Sequence, residues 1–170
     1  MSTAVLALLL ILGACEREQT PPPVRAAVVK RAPVETDRAR YVFHEGPFGP
    51  ETTIVSTYTA PANHDVYLLN CNGAFAVGLQ RPNGDRWEHV WAPAMSACMS
   101  APIVIRAGES RQATIVVTPR RMDAKIDTGT YRVVWHGLLG SYDPNASPPG
   151  LDLPIEQRVS APIHIDVTLQ

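Results

Sequence analysis

Eight short segments rich in β-branched and aromatic residues limit this chain of 170 residues to an all-β fold. Turn signals separate the segments at fairly regular intervals, and no stretch has the periodicity of a convincing amphipathic helix. The segments span residues 52–60, 64–71, 74–81, 86–91, 101–110, 111–119, 129–137 and 159–169. This pattern predicts one antiparallel β-sandwich of about seven to eight strands.

The third and fourth segments predict a hairpin that carries candidate binding residues. They flank Pro82-Asn83-Gly84-Asp85, a strong turn signal with Asn-Gly at its centre. In the fourth segment Trp87, His89 and Trp91 share parity, so they are expected on one side of the strand. Two interpretations stay open: one of the tryptophans fills the core, or the row forms an exposed aromatic surface that binds protein or glycan.

The pattern Asp127-x-Gly129-x-Tyr131, just before a predicted strand, is typical of the tyrosine corner of immunoglobulin-like sandwiches. Glycine permits the tight turn, and the tyrosine hydroxyl is expected to return to an upstream backbone group. These three residues are therefore predicted to have a structural role.

Three motifs together resemble a family of small bacterial immunoglobulin-like domains. They are NGDRWEHVW, IVIRAGES and DTGTYRVVW, within residues 52–137. The resemblance is to domains similar to the Bacillus intracellular proteinase inhibitor, although Ala107 and Thr128 stand where that family has proline. It implies an immunoglobulin-like sandwich, and it raises protease inhibition through an exposed loop as an alternative function.

The N-terminus resembles that of bacterial lipoprotein precursors. Residues 4–12 are nine apolar residues, too few to span a bilayer but typical of a signal-peptide core. Leu12-Gly13-Ala14-Cys15 then resembles a lipobox, which implies a signal peptide over 1–14 and a lipid on Cys15. The alternative is a buried N-terminal element with an incidental cysteine.

A Pro-rich tether is predicted between the lipid and the folded domain. Pro21-Pro22-Pro23 favours an extended polyproline II spacer. The tether is assigned to residues 15–40 and the immunoglobulin-like domain to residues 41–170. Glu16, rather than aspartate, follows the cysteine, which favours the outer membrane, facing the periplasm or the cell surface.

Cys71 and Cys98 are predicted to form a disulfide, because an exported protein meets an oxidising compartment. Such a bridge contributes roughly 3–4 kcal/mol in the chain-entropy model. The alternative is a metal-ligand pair.

Copper is the metal that this region would suit, because His89, Met95, Cys98 and Met99 lie close together and soft ligands favour Cu(I). However, no histidine follows Cys98 until His136, and no second histidine ligand is clearly placed. No metal site is therefore predicted, and copper binding is the weakest alternative.

No motif predicts catalysis. GxSxG, HExxH and a Gly-rich phosphate loop are all absent from the sequence, so no enzyme activity and no cofactor are expected. The net charge of -1 and the absence of a basic run in the globular part argue against a nucleic-acid partner.

A long segment, residues 138–157, separates the last two predicted strands. Long connections in compact domains are often functional, and Tyr142, Leu151 and Leu153 could present apolar contacts. The alternative is a variable loop that packs on the edge of the sandwich. Together these features predict a lipid-anchored, extracytoplasmic, non-catalytic domain that binds a protein or envelope component.

Overall fold

The computed structural model describes residues 32–95, 100–121 and 124–167. The chain divides into two compact units, Met1–Lys30 and Arg31–Gln170, and all described residues belong to the second. The predicted signal peptide, Cys15 and most of the predicted tether lie outside the described residues.

The described residues form fourteen short β-strands and one short 3-10 helix, Ile155–Gln157, and they contain no α-helix. The strands are β1 (Val34–Thr36), β2 (Arg40–Val42), β3 (His44–Gly46), β4 (Gly49–Thr59), β5 (Val66–Leu68), β6 (Val77–Asn83), β7 (Arg86–Trp91), β8 (Ile103–Ile105), β9 (Ser110–Val117), β10 (Arg120–Arg121), β11 (Ala124–Lys125), β12 (Gly129–Trp135), β13 (Leu138–Leu139) and β14 (Ile163–Asp166). The predicted all-β class is confirmed.

Two larger sheets dominate the unit. In the first, β4 pairs with β1, β3 and β9. The second has the order β2-β14-β12-β6-β7, antiparallel except that β2 runs parallel to β14. A smaller sheet has the order β13-β5-β8, and β10 and β11 form a two-stranded ribbon.

Both larger sheets contribute to one hydrophobic core. Ile54 and Tyr58 of β4 are buried in it with Val133 and Trp135 of β12. The Trp135 Nε1–H donates a hydrogen bond to the buried Ser56 hydroxyl of β4, at 3.1 Å, and so links the two sheets. Two sheets around a shared core fit a β-sandwich.

The folded domain begins earlier than the predicted residue 41. Val34 in β1 is 0% exposed and Tyr41 in β2 is 1% exposed. Between them, Asp37 accepts hydrogen bonds from the Tyr41 hydroxyl at 2.7 Å and from the Val55 N–H at 3.0 Å. The assignment of residues 32–40 to a tether is therefore wrong. The strand was missed because three residues are too few to produce a recognisable hydrophobic pattern in the sequence.

Tyr131 ties the turn before β12 to the strand itself. Its hydroxyl donates to the Asp127 carbonyl at 2.6 Å and accepts from the Asp127 N–H at 3.1 Å. Gly129 begins β12 and pairs with Ile165 of β14. This is the local arrangement that the Asp-x-Gly-x-Tyr pattern predicts.

The predicted hairpin between β6 and β7 is present, but its turn is displaced by one residue. Asn83 pairs with Arg86, so the two-residue loop is Gly84-Asp85 rather than Asn-Gly. Gly84 has φ of +59° and occupies the first central position, which is the place for glycine in a type II′ turn.

Candidate functional site

A β-bulge in β7 separates the aromatic residues that share parity in the sequence. Leu79 pairs with Trp91 but its neighbour Gln80 pairs with His89, so Val90 is an extra residue without a partner on β6. An extra residue reverses the alternation of side chains along a strand. The prediction that Trp91 lies on the same side as His89 is therefore wrong.

The two tryptophans of β7 consequently have different environments. Trp91 is 2% exposed and belongs to the core, as one interpretation of the sequence expected. Trp87 is half-buried on the outer face, where the Arg132 guanidinium lies 4.4 Å from the centre of its ring. Arg132 Nε also donates to Gln80 Oε1 at 2.8 Å, so the guanidinium is held over the ring.

His89 contacts His136, a pairing that no sequence pattern predicts. The two ring centres are 5.1 Å apart and the rings meet edge to face at 74°. Gly78 makes this contact possible, because a Cβ there would lie 2.7 Å from His89 Cε1 and 2.7 Å from the Trp91 carbonyl oxygen. We call Trp87, His89, Arg132 and His136 the outer-face cluster.

Both histidines of the outer-face cluster favour the neutral form. Burial is the largest cause that lowers the pKa of His136, and the nearby His89 and Arg158 lower it further against the opposing effect of Asp152. His89 is exposed as a whole residue, but desolvation of its ring also lowers its pKa. The His136 Nε2 atom is buried and has no hydrogen-bond partner among the described residues.

The described residues contain no group of three or more His, Cys, Asp or Glu side chains that could hold a metal ion. Of the residues considered for copper, Met95 is half-buried, and Cys98 and Met99 lie outside the described residues. The histidine pair alone does not complete a copper site of the kind considered from the sequence.

The histidine pair makes stability depend on pH. The pKa of His136 is lowered on folding, so the unfolded chain binds more protons below about pH 6.5 and stability falls as the pH decreases through that value. We expect a lower urea midpoint at pH 5 than at pH 7.5, and a smaller difference in the His136→Phe variant. A variant with an undiminished pH dependence would show that other groups cause it.

The long segment after β13 packs against the domain. The Leu153 N–H donates to the Leu138 carbonyl at 2.8 Å, and Leu153 is 7% exposed. Tyr142 is half-buried, with its ring centre 6.0 Å from that of Tyr67. Leu151 is 76% exposed. Leu153 is thus a core residue rather than a binding residue, because pairing with β13 turns its side chain inward.

Cys71 is buried, and Cys98 lies outside the described residues, so the disulfide stays a prediction. The chain next to Cys71 nevertheless contacts the chain just after Cys98. The Asn72 N–H donates to Ser100 Oγ at 3.3 Å, and the Ser100 hydroxyl donates to Asn72 Oδ1 at 2.8 Å.

No protein-family model matches the chain, and no curated protein matches it. A solved structure that matches is the β-glucosidase from Listeria innocua in complex with glucose, at 12% identity and a TM-score of 0.31. The match covers 78% of this chain, which spans 16% of the length of that enzyme. Among the described residues, no helix is long and apolar enough to cross a membrane.

Proposed function

We propose that this protein is a lipid-anchored, extracytoplasmic immunoglobulin-like domain that binds a protein or envelope component and has no catalytic role. The observation that carries the proposal is the strand order of the two larger sheets. One fold hosts many unrelated functions, so the binding role is argued from particular exposed side chains and strand edges.

The strand orders support the immunoglobulin-like assignment. The series β1-β4-β9 matches strands A, B and E, and β14-β12-β6-β7 matches the order G, F, C and C′. The corner of Tyr131 precedes β12, which is the place of strand F. The buried tryptophans depart from the usual position on strand C, because Trp91 lies on β7 and Trp135 on β12.

The contact between Asn72 and Ser100 supports a bridge between Cys71 and Cys98. Asn72 is the neighbour of Cys71 and Ser100 is two residues along the chain from Cys98, so the contact joins residues next to both cysteines in the sequence. A bridge here suits an exported domain. The proposed lipid on Cys15 then accounts for the third cysteine of the chain.

The outer-face cluster supplies a contact surface on the β12-β6-β7 part of the second sheet. Trp87 is half-buried, and His89 is exposed. Tryptophan and arginine are the residue types that contribute most to protein interfaces. The stack of Arg132 on Trp87 holds both side chains in place, which lowers the entropy lost on binding.

Protease inhibition is the second candidate, supported by the tip of the segment after β13. There the Asp143 N–H donates to the Pro149 carbonyl at 2.7 Å, and the Asn145 N–H donates to Asp143 Oδ1 at 2.9 Å. The residues of this tip from Asp143 to Pro148 are exposed. An exposed loop held by its own hydrogen bonds is suited to entering a cleft.

The intact mass of the protein from membranes of its native host tests the proposal. We expect a mass that begins at Cys15, carries acyl chains, and rises by about two hydrogens on reduction. The Cys98→Ser variant is the control. It lacks one cysteine of the proposed disulfide, so its mass should not rise on reduction. An unlipidated chain with free thiols would contradict the proposal and favour the protease inhibitor instead.

A further inference from the structure

Strand β9 has one paired edge and one open edge. It pairs with β4 over eight residues, from Ser110↔Thr59 to Val117↔Thr52. Within residues 32–95, 100–121 and 124–167, no strand pairs with its other edge. In an immunoglobulin-like sheet of order A-B-E-D, that edge is where strand D would lie.

The hydrogen bonds of β4 show which way its backbone groups point. The Thr59 N–H donates to the Pro33 carbonyl at 3.0 Å, and the Val55 carbonyl accepts from the Asp37 N–H at 3.0 Å. Odd-numbered residues of β4 therefore bond to the β1 side. Backbone direction alternates along a strand, so the even-numbered residues bond to β9.

The same alternation identifies the groups at the open edge of β9. The Ala60 N–H donates to the Glu109 carbonyl at 2.9 Å, and Ile54 pairs with Ile115, so odd-numbered residues of β9 bond to β4. The even-numbered residues direct their N–H and C=O groups outward. They are Ser110, Gln112, Thr114 and Val116.

A cavity of about 420 Å³ lies beside this open edge. Residues 112–116 of β9 form one side of it, and Phe75, Trp91 and Pro93 contribute apolar surface opposite. The exposed Arg111 places its guanidinium 5.5 Å from the centre of the Phe75 ring, so a positive charge stands at one end of the cavity.

An extended backbone matches donors and acceptors that recur at every second residue of a strand, so a free edge is a template for pairing with another chain. We propose that the open edge of β9 binds an extended segment of a partner protein, which adds a strand there, places an apolar side chain in the cavity and an acidic residue beside Arg111. Addition of a strand to a free edge is a known mode of peptide recognition. This inference rests on the protein-binding function proposed above.

Selection of peptides against the full chain tests the inference. The probe is a displayed library of random nine-residue peptides, and the variants are Thr114→Pro and Thr114→Val. Proline removes the outward N–H without breaking a bond to β4, and it is tolerated on strand edges. Valine keeps the N–H and the β-branched shape. Urea midpoints show whether both variants remain folded.

We expect selected peptides to bind the wild-type chain and Thr114→Val equally, and Thr114→Pro at least tenfold more weakly. Peptides with the acidic residue should bind the wild-type chain more tightly than peptides without it. This difference in affinity should disappear in the Arg111→Ala variant. The inference is overturned by peptides that bind Thr114→Pro as well as wild type. It is also overturned if no peptide is enriched, or if sedimentation shows that a second copy of the chain fills the edge.

Photo-cross-linking in native membranes separates failure of this inference from failure of the proposed function. The full chain carries a photoreactive residue either at position 114 or at position 87. A cross-link from position 114 to one extended segment of a partner supports the inference. A partner found only from position 87 overturns the inference and leaves the protein-binding function intact, whereas no protein partner from either position overturns both.

Discussion

A chain that begins at residue 43 is expected to be unfolded. It lacks β1 and β2, and with them two core side chains, Val34 and Tyr41. Burial of each contributes roughly 1.5–3 kcal/mol, and each lost ladder hydrogen bond costs about 0.5–1.5 kcal/mol. The sum of these lost contributions approaches the whole free energy of unfolding of a typical domain, which is about 5–15 kcal/mol.

A chain that begins at residue 32 is the matched control, because it keeps both β1 and β2. Circular dichroism and urea titration of the two truncated chains give the comparison. A cooperative transition in the chain beginning at residue 43, at the midpoint of the control, would show that the domain does start after residue 41.

Replacement of Trp135 by alanine is expected to lower the free energy of unfolding by about 3–5 kcal/mol. The side chain is fully buried, lies 5.9 Å from Tyr58 and 6.2 Å from Phe75 between ring centres, and donates to Ser56 across the core. Its removal leaves a cavity and an unpaired buried hydroxyl. Urea unfolding measures the loss.

The hydrogen bond between the sheets can be isolated by a double-mutant cycle of Trp135→Phe and Ser56→Ala. Each single variant leaves one buried polar group unpaired, at a cost of about 1–3 kcal/mol, whereas the double variant leaves neither. We therefore expect the double variant to lose less stability than the sum of the single variants. Strict additivity would show that the bond contributes nothing to joining the sheets.

The features that could be predicted from the sequence are those decided within a few neighbouring residues. The apolar residues Ile163 and Ile165 alternate with polar residues, which predicted a half-buried strand. The turn signal at Gly84 predicted a hairpin. Tyr131 reaches a backbone group only four residues away. Each of these depends on local geometry, so the order of residues alone is sufficient.

The candidate surfaces depended on contacts that no local pattern records. The extra residue at Val90 exists because of the register against β6, and it moved Trp91 into the core while Trp87 stayed outside. His136 meets His89 only because β12 and β7 both pair with β6. Parity along one strand cannot reveal a bulge, since the bulge is a property of two strands.

By itself, the sequence determined an all-β chain with the turns in nearly the right places, because strand propensity and turn chemistry act through adjacent residues. The tertiary structure decided that β1 belongs to the sheet, that Leu153 is buried, and that β9 pairs along one edge only within the part of the chain that the structure describes. Those three outcomes depend on which distant segments pair. Pairing is decided by the free energy of the whole core rather than by any one segment.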